Sequence, residues 1–456
     1  MTPRTRSALA FMAAASIVLA VLPAQPATAD APATIWASGN YNGRVQIDVT
    51  ESNGVYVLAD PTRPGVRCVG PDGRALVIDP GHIGTPQYYE LVAACVDVLY
   101  GVQRMWDMLR HWLGRNGIDG NGRGVPARVG TRPGTPYNPS FVDFPRGSDG
   151  RYPVAVDLVA HEYGHVIFRT TPGGAGSGNE SGGLNEGTGD IFGALTEHYA
   201  NNPNDPPDYL VGEEVATYGG RPLRNMYNPS ALGHPNCYSA SIPNTEVHAA
   251  AGPLNHWFYL LAEGSEPGGG KPSSPVCTGG SAPVVGIGIR QAGQIFMAAL
   301  NRKTSGWRYA GARKSAVEAA AQLFGQGSPA CATTKAAWSG VSVPAQPGEA
   351  GCGIIGEPYS AAVSPSSVTL PPGGAATATI ITSGSDPQTL TLSARGLPSG
   401  CTITFSPAAI PVGHSSVLTI VCGPATPPGT YQITVNIDSP WDDRTLTLLL
   451  IVAPEG

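Results

Sequence analysis

His161-Glu162-Tyr163-Gly164-His165 is the run on which the reading of this chain turns. It has the form H-E-x-x-H. On a helix its two imidazoles fall four residues apart, about 40° around the axis, so both can reach one cation. Glu162 then projects about 100° to the side, where it can hold a metal-bound water without being a ligand. A buried histidine pair in a core helix would show the same letters. The segment Asn179-Glu180-Ser181-Gly182-Gly183-Leu184-Asn185-Glu186-Gly187-Thr188-Gly189-Asp190-Ile191-Phe192-Gly193 argues against that. Glu186 and Asp190 are again four apart and share a helix face. Paired acids are usually a solvated face, but Leu184, Ile191 and Phe192 make this stretch apolar. Catalytic zinc takes three protein ligands and keeps a fourth position open. His161, His165 and Glu186 are therefore the candidate ligands, and Asp190 the acceptor for the outward N–H of a ligating histidine.

H-E-x-x-H followed by N-E-S-G-x-x-N-E-x-x-x-D resembles the thermolysin family of secreted neutral metalloendopeptidases. The likeness runs from about residue 36 to 343. It includes Val96 to Val102, Gly117 to Gly122, Leu223-Arg224-Asn225-Met226, Val247 to Asn255, and Ala336 to Val343. The resemblance implies an α+β catalytic domain of two lobes, β-rich then helical, with the zinc helix on the floor of the cleft between them. It implies one catalytic zinc and Glu162 as general base in the attack of zinc-bound water on a peptide carbonyl. It assigns His248 to the oxyanion, Arg224 to the substrate carbonyl, and Leu158 and Leu223 to a pocket for a large apolar residue after the scissile bond. It also implies a calcium site at Asp157, Glu197, Asp208 and Glu213. One ion is expected there, not two, because Leu210 stands where an acid would bridge to a second.

Several positions depart from the pattern. Ser177 stands where the family has a tyrosine that assists the oxyanion. Pro243 replaces the aspartate that orients the cleft histidine, leaving Glu246 as a substitute. Pro139 replaces a substrate-binding asparagine, so Asn138 would have to serve. The loop Thr170–Gly178 reads one residue longer. These changes leave a rival function class open, a catalytically impaired relative acting as a binding or cell-surface protein. An aminopeptidase would need a motif gripping a free amine, and none is visible.

The remainder of the sequence fits an exported enzyme. Arg4 and Arg6, the apolar run Ala8–Leu22 and Ala27-Thr28-Ala29 read as a signal peptide over residues 1–29. No long propeptide is read after it, although most relatives carry one. The apolar run is short for a span of ~20 residues, so no membrane span is expected. A formal charge of −6 with 13% charged residues gives no basic footprint for nucleic acid. The partners are then protein or peptide substrates, and the chain is read as a secreted monomer. Export makes the eight cysteines readable as four disulfides. Chain order suggests Cys68–Cys95, Cys237–Cys277, Cys331–Cys352 and Cys401–Cys422, one of 105 connectivities.

The organisation follows the same lines. Residues 30–153 read as a β-rich lobe, with Val45, Ile47 and Val49 alternating and a helix over 87–112. Residues 154–343 read as a helical lobe, with helices at 154–169, 184–201, 248–263, 287–301 and 311–325. Residues 344–358 read as a linker. Residues 359–456 alternate in short Thr-rich strands, such as Leu418-Ile420-Cys422 and Ile433-Val435-Ile437, the pattern of an immunoglobulin-like sandwich. With Trp441 its only tryptophan, this module has no aromatic platform for glycans. Two roles stay open for it, a spacer or stabiliser and a binder of a surface polymer.

Overall fold

The computed structural model describes residues 30–81, 84–215, 221–280, 283–352, 359–384, 389–439 and 444–454. The signal segment 1–29, the end of the linker and Trp441 lie outside the described residues.

The first lobe opens with an antiparallel sheet in the order β1 (Ala31–Ser38), β2 (Arg44–Ser52), β3 (Val55–Val57), β5 (Val77–Ile78). Val45, Ile47 and Val49 of β2 all point into the core, as a period of two requires. A second sheet runs β4 (Cys68–Val69), β6 (Ala127–Thr131), β7 (Val142–Pro145), with β7 on its edge. Between them lies α1 (Pro86–His111), started by Thr85, whose side chain caps Tyr88 N, and by Pro86 in the first turn. Asp97 on α1 is buried and accepts from the backbone N–H groups of Asn40, Tyr41 and Asn42, which fastens the β1–β2 turn to the helix.

The second lobe is built on α2 (Val156–Thr170) and α3 (Asn179–Ala200). A short ladder of β8 (Leu210–Val211) and β9 (Arg224–Asn225) follows. Then come α4 (Val247–Ala250), α5 (Gly252–Ala262), α6 (Ile289–Leu300), α7 (Tyr309–Phe324) and α8 (Pro329–Gly340). One continuous core runs from Val45 to Val343 and so through both lobes. The segment read as a linker differs from its expected form over residues 344–352. Glu349 accepts two hydrogen bonds from buried Arg313, both 3.0 Å, and Cys352 is bonded to Cys331 of α8. These contacts come from side chains 21 and more residues away, which local composition cannot reveal.

The last region is a separate two-sheet sandwich with its own core. One sheet is ordered β10 (Ser360–Ser364), β12 (Ala375–Ser383), β16 (Ser415–Cys422), β14 (Cys401–Ser406). The other is ordered β11 (Ser367–Leu370), β18 (Arg444–Val452), β17 (Gly429–Asp438), β13 (Thr389–Arg395), β15 (Ala409–Pro411). Cys401 and Cys422 face each other across β14 and β16, so their disulfide joins neighbours in one sheet. The other disulfides are Cys68–Cys95, Cys237–Cys277 and Cys331–Cys352. Among the described residues no helix is long and apolar enough to cross a membrane.

Candidate active site

Helix α2 is buried on nearly every side. From Val156 to Arg169 only Glu162, His165 and Arg169 are partly exposed, at spacings of three and four, so they form one stripe. That stripe looks into a cleft walled on the far side by β7. Helix α3 shows Asn185 and Glu186 to the same space. The two helices approach closely because glycines meet. A Cβ on Gly164 would stand 2.7 Å from Gly189 Cα, and one on Gly189 would strike the His161 ring. Glycine in a helix interior costs roughly 1 kcal/mol, and here it permits the contact that sets Glu186 against the histidines.

The donors converge. His161 Nε2 lies 3.5 Å from Glu186 Oε2 and His165 Nε2 lies 3.8 Å from Glu186 Oε1. The two imidazole planes are close to perpendicular, at 84°. Ligand atoms about 2.0–2.1 Å from a tetrahedral ion stand about 3.4 Å from one another, so this spacing suits zinc better than hydrogen bonding. His161, Glu162 and His165 also offer ligand atoms within 4.8 Å of one another. Burial opposes a charge on His161, but Asp190 and Glu186 outweigh it and push its pKa up to about 10. Burial likewise opposes charge on Glu186, and His161 and its neighbours still pull it down to about 2. The pocket thus demands a positive charge, which a divalent ion supplies while releasing the proton.

Asp190 organises the surroundings. Its Oδ1 accepts from His161 Nδ1 at 2.8 Å and from Arg224 Nη2 at 2.8 Å. Its Oδ2 accepts from Arg224 Nε at 2.6 Å and Asn255 Nδ2 at 2.7 Å. Burial alone would raise its pKa, yet Arg224 and His161 hold it well below the carboxylate range. Donating through Nδ1 leaves His161 Nε2 free to coordinate. On the other histidine, Asn185 Oδ1 and His165 Nδ1 are both buried without a hydrogen-bond partner. Burial together with the neighbouring His161 charge holds the His165 pKa below its ordinary value, against smaller opposing pulls from Glu162, Glu186 and Asn185.

His248 reaches the same point from α4, with Nε2 3.5 Å from Glu186 Oε2. Its Nδ1 is 2.6 Å from Glu246 Oε1, and Glu246 also caps α4 by accepting from His248 N and Ala249 N. Leu158, Leu223, Arg224 and His234 line one half of the cleft with His161, Glu162, Glu186 and His248. Asn138 Oδ1 accepts from Ser140 N at 3.0 Å within its own turn, and its neighbours Tyr137 and Phe141 line the cleft. Sequence reasoning passed over Asn185 and His234. Asn185 sat inside the quoted motif beside Glu186. His234, set between Gly233 and Pro235, read as an ordinary turn residue and gave no clue.

A second cluster occupies the opposite end of α2 and α3. Glu197, Asp205 and Glu213 present carboxylate oxygens within 4.8 Å of one another. Glu197 Oε1, Asp205 Oδ1 and Glu213 Oε2 are buried with no hydrogen-bond partner. Asp157 lies beside them, its oxygens accepting from Leu158 N and Gly212 N. Burial and mutual repulsion raise all four, Asp157 to about 6, Asp205 to about 7 and Glu213 to about 9, with Glu197 also well above its ordinary value. The tight group therefore contains Asp205, which the sequence reading left out, while Asp208 is taken up locally by Leu210 N. Orphaned buried carboxylates fit a hard cation such as calcium.

Residues 36–169 match the model of the thermolysin metallopeptidase catalytic domain, and residues 177–343 that of the thermolysin metallopeptidase alpha-helical domain. The chain is 37% identical over 324 residues to a transglutaminase-activating metalloprotease of Streptomyces mobaraensis, covering 67% of this chain and 42% of that one. It is 32% identical over 309 residues to a thermolysin of Alicyclobacillus acidocaldarius subsp. acidocaldarius, covering 64% of this chain and 53% of that one. The chain thus spans about half the length of the curated relatives it matches. A solved precursor of protealysin, a metalloproteinase from Serratia proteamaculans, is 21% identical with a TM-score of 0.46, over 61% of this chain and 87% of that one.

Proposed function

This chain belongs to the thermolysin family of metallopeptidases, and from that premise we propose that it is a secreted zinc endopeptidase cutting peptide bonds before large apolar residues. The observation that carries the reading is the convergence of His161, His165 and Glu186 at 3.5–3.8 Å beside Glu162. Zinc, when bound there, would polarise the scissile carbonyl and acidify water. Glu162 would serve as general base, taking a proton from the attacking water and returning it to the leaving amine. His248, held by Glu246, donates to the developing oxyanion. Arg224 is fixed by Asp190 and steadies the carbonyl beyond the cut bond, while Leu158 and Leu223 receive the side chain that follows it.

Ser177 contributes its backbone carbonyl to Arg308 Nη2 at 2.8 Å, and no role for its hydroxyl is part of this scheme. Calcium would sit between Glu197, Asp205 and Glu213 with Asp157 behind them, as a structural ion. The division into a leader at 1–29, lobes at 30–153 and 154–343, a tether and an immunoglobulin-like module at 359–456 is part of the same proposal. The module serves as a spacer or binds a surface polymer, and the chain acts as a monomer.

Casein hydrolysis tests the activity. The purified protein with zinc should digest casein, and a zinc chelator or Glu162→Gln should abolish it, the latter by about 10²–10⁴-fold. Intact casein at high concentrations of zinc-loaded protein would sink the reading.

A further inference from the structure

The cleft has two halves that meet at Glu162 and Glu186. One is the pocket of Leu158 and Leu223. The other, of about 640 Å³, extends past His165 to Arg132, Tyr137 and Arg169. Two arginines line this second half, Arg169 on α2 and Arg132 in the turn after β6. Arg169 lies one turn beyond His165 on the exposed stripe of α2, which carries it about 6 Å further along the cleft. Its Nη2 donates to Pro139 O at 3.4 Å, and its guanidinium stands 5.8 Å from the centre of the Tyr137 ring. Arg132 follows β6, in a turn closed by Thr135 N and Oγ1 on Arg132 O at 3.0 and 2.6 Å.

Neither arginine forms an ion pair among the described residues, whereas Arg128, Arg224 and Arg313 each hold a carboxylate within 3.0 Å. Two of the acids in the same space are engaged elsewhere. Asp143 is paired with Arg128 through both oxygens, at 2.6 and 2.9 Å, and Glu186 faces the histidines. An exposed arginine alone would be ordinary. Two of them lining one cleft, one of them steadied over an aromatic ring, offer a carboxylate two cationic donors.

We propose that this half of the cleft is a subsite for an acidic side chain on the acyl side of the scissile bond. Glu162 and Glu186 repel an acid next to the reacting carbonyl. The advance of about 6 Å from His165 to Arg169 corresponds to about two residues of extended peptide. The aspartate or glutamate therefore belongs at the second or third residue before the cut. The inference rests on the peptidase reading and names its substrate class.

The test uses the full, zinc-loaded chain and quenched fluorescent peptides with Phe after the scissile bond. The second and third residues before it are varied among Asp, Glu, Gln and Lys. Wild type should favour the acidic peptides over the lysine ones by about tenfold in kcat/KM at low ionic strength, and the advantage should shrink in about 0.5 M salt. Arg169→Glu should reverse the ratio, and Arg132→Glu, on an exposed turn, should reduce it even if the first variant folds poorly. A wild-type ratio near one at both positions, or ratios unchanged in both variants, would overturn the subsite. If no peptide in the set is cut, the peptidase reading itself fails and the subsite fails with it. Cutting without discrimination removes the subsite alone.

Discussion

The middle and one end of the α2–α3 pair bury carboxylates in opposite ways. In the middle, Asp190 is fully buried yet surrounded by His161, Arg224 and Asn255, and its charge is held. At the far end Asp157, Glu197, Asp205 and Glu213 crowd together, with no lysine or arginine paired to them among the described residues, and all are driven toward the protonated form. A buried acid with matched donors is a finished structural part, whereas buried acids without them are a demand for an ion. The first arrangement makes one histidine a fixed ligand. The second makes stability depend on what is dissolved around the protein.

Substitution separates the two most sharply. Asp190→Ala leaves Arg224 charged, buried and unpaired, and should cost about 3–5 kcal/mol, a fall in melting temperature of roughly 6–15 °C by calorimetry. Glu213→Gln at the other end removes repulsion, so the calcium-free protein should melt no lower than wild type. A fall comparable to that of Asp190→Ala would break the contrast. Calcium removal is the next effect in size. An ion at about 100 times its dissociation constant adds about 2.7 kcal/mol, so selective chelation should lower the melting temperature by roughly 5–10 °C, and no change would count against the ion.

The pH dependence without calcium should be smaller, since water entry and relaxation soften the repulsion. Asp205 sits at about 7 in the fold against about 4 when unfolded. The folded state then binds more protons between those values, so stability must fall as pH rises from about 4 to about 7. Melting curves across that range should slope downward without calcium and flatten with it. The weakest effect belongs to Glu246→Gln. The Glu246–His248 pair is more than half exposed on both sides, and exposed pairs contribute about 0–1 kcal/mol. Turnover should fall by roughly tenfold or less while the melting temperature stays put.

Much of this frame can be read from the letters. The spacing of His161, His165, Glu186 and Asp190 places them on facing helices, and the structure brings them together. The helix read at 154–169 is observed at Val156–Thr170. The helix read at 248–263 is broken after Ala250, because Pro253 has no N–H to continue the ladder. Helix α8 starts with Ser328 as its cap and Pro329 in the first turn, ahead of the Ala336–Val343 stretch quoted for the family likeness. Asp205 escaped because Asn202-Pro203-Asn204-Asp205-Pro206 looks like any surface turn. Only tertiary packing tips it inward, where Val156 N donates to its Oδ2 at 3.3 Å.

The stapling of residues 344–352 onto the helical lobe has a mechanical meaning. Any tension arriving through the C-terminal module is delivered at Cys352, and from there by a covalent link to Cys331 in a helix of the main core. Pulling cannot unzip the preceding stretch one contact at a time. The load passes directly into the helix that holds Cys331, bypassing residues 332–351.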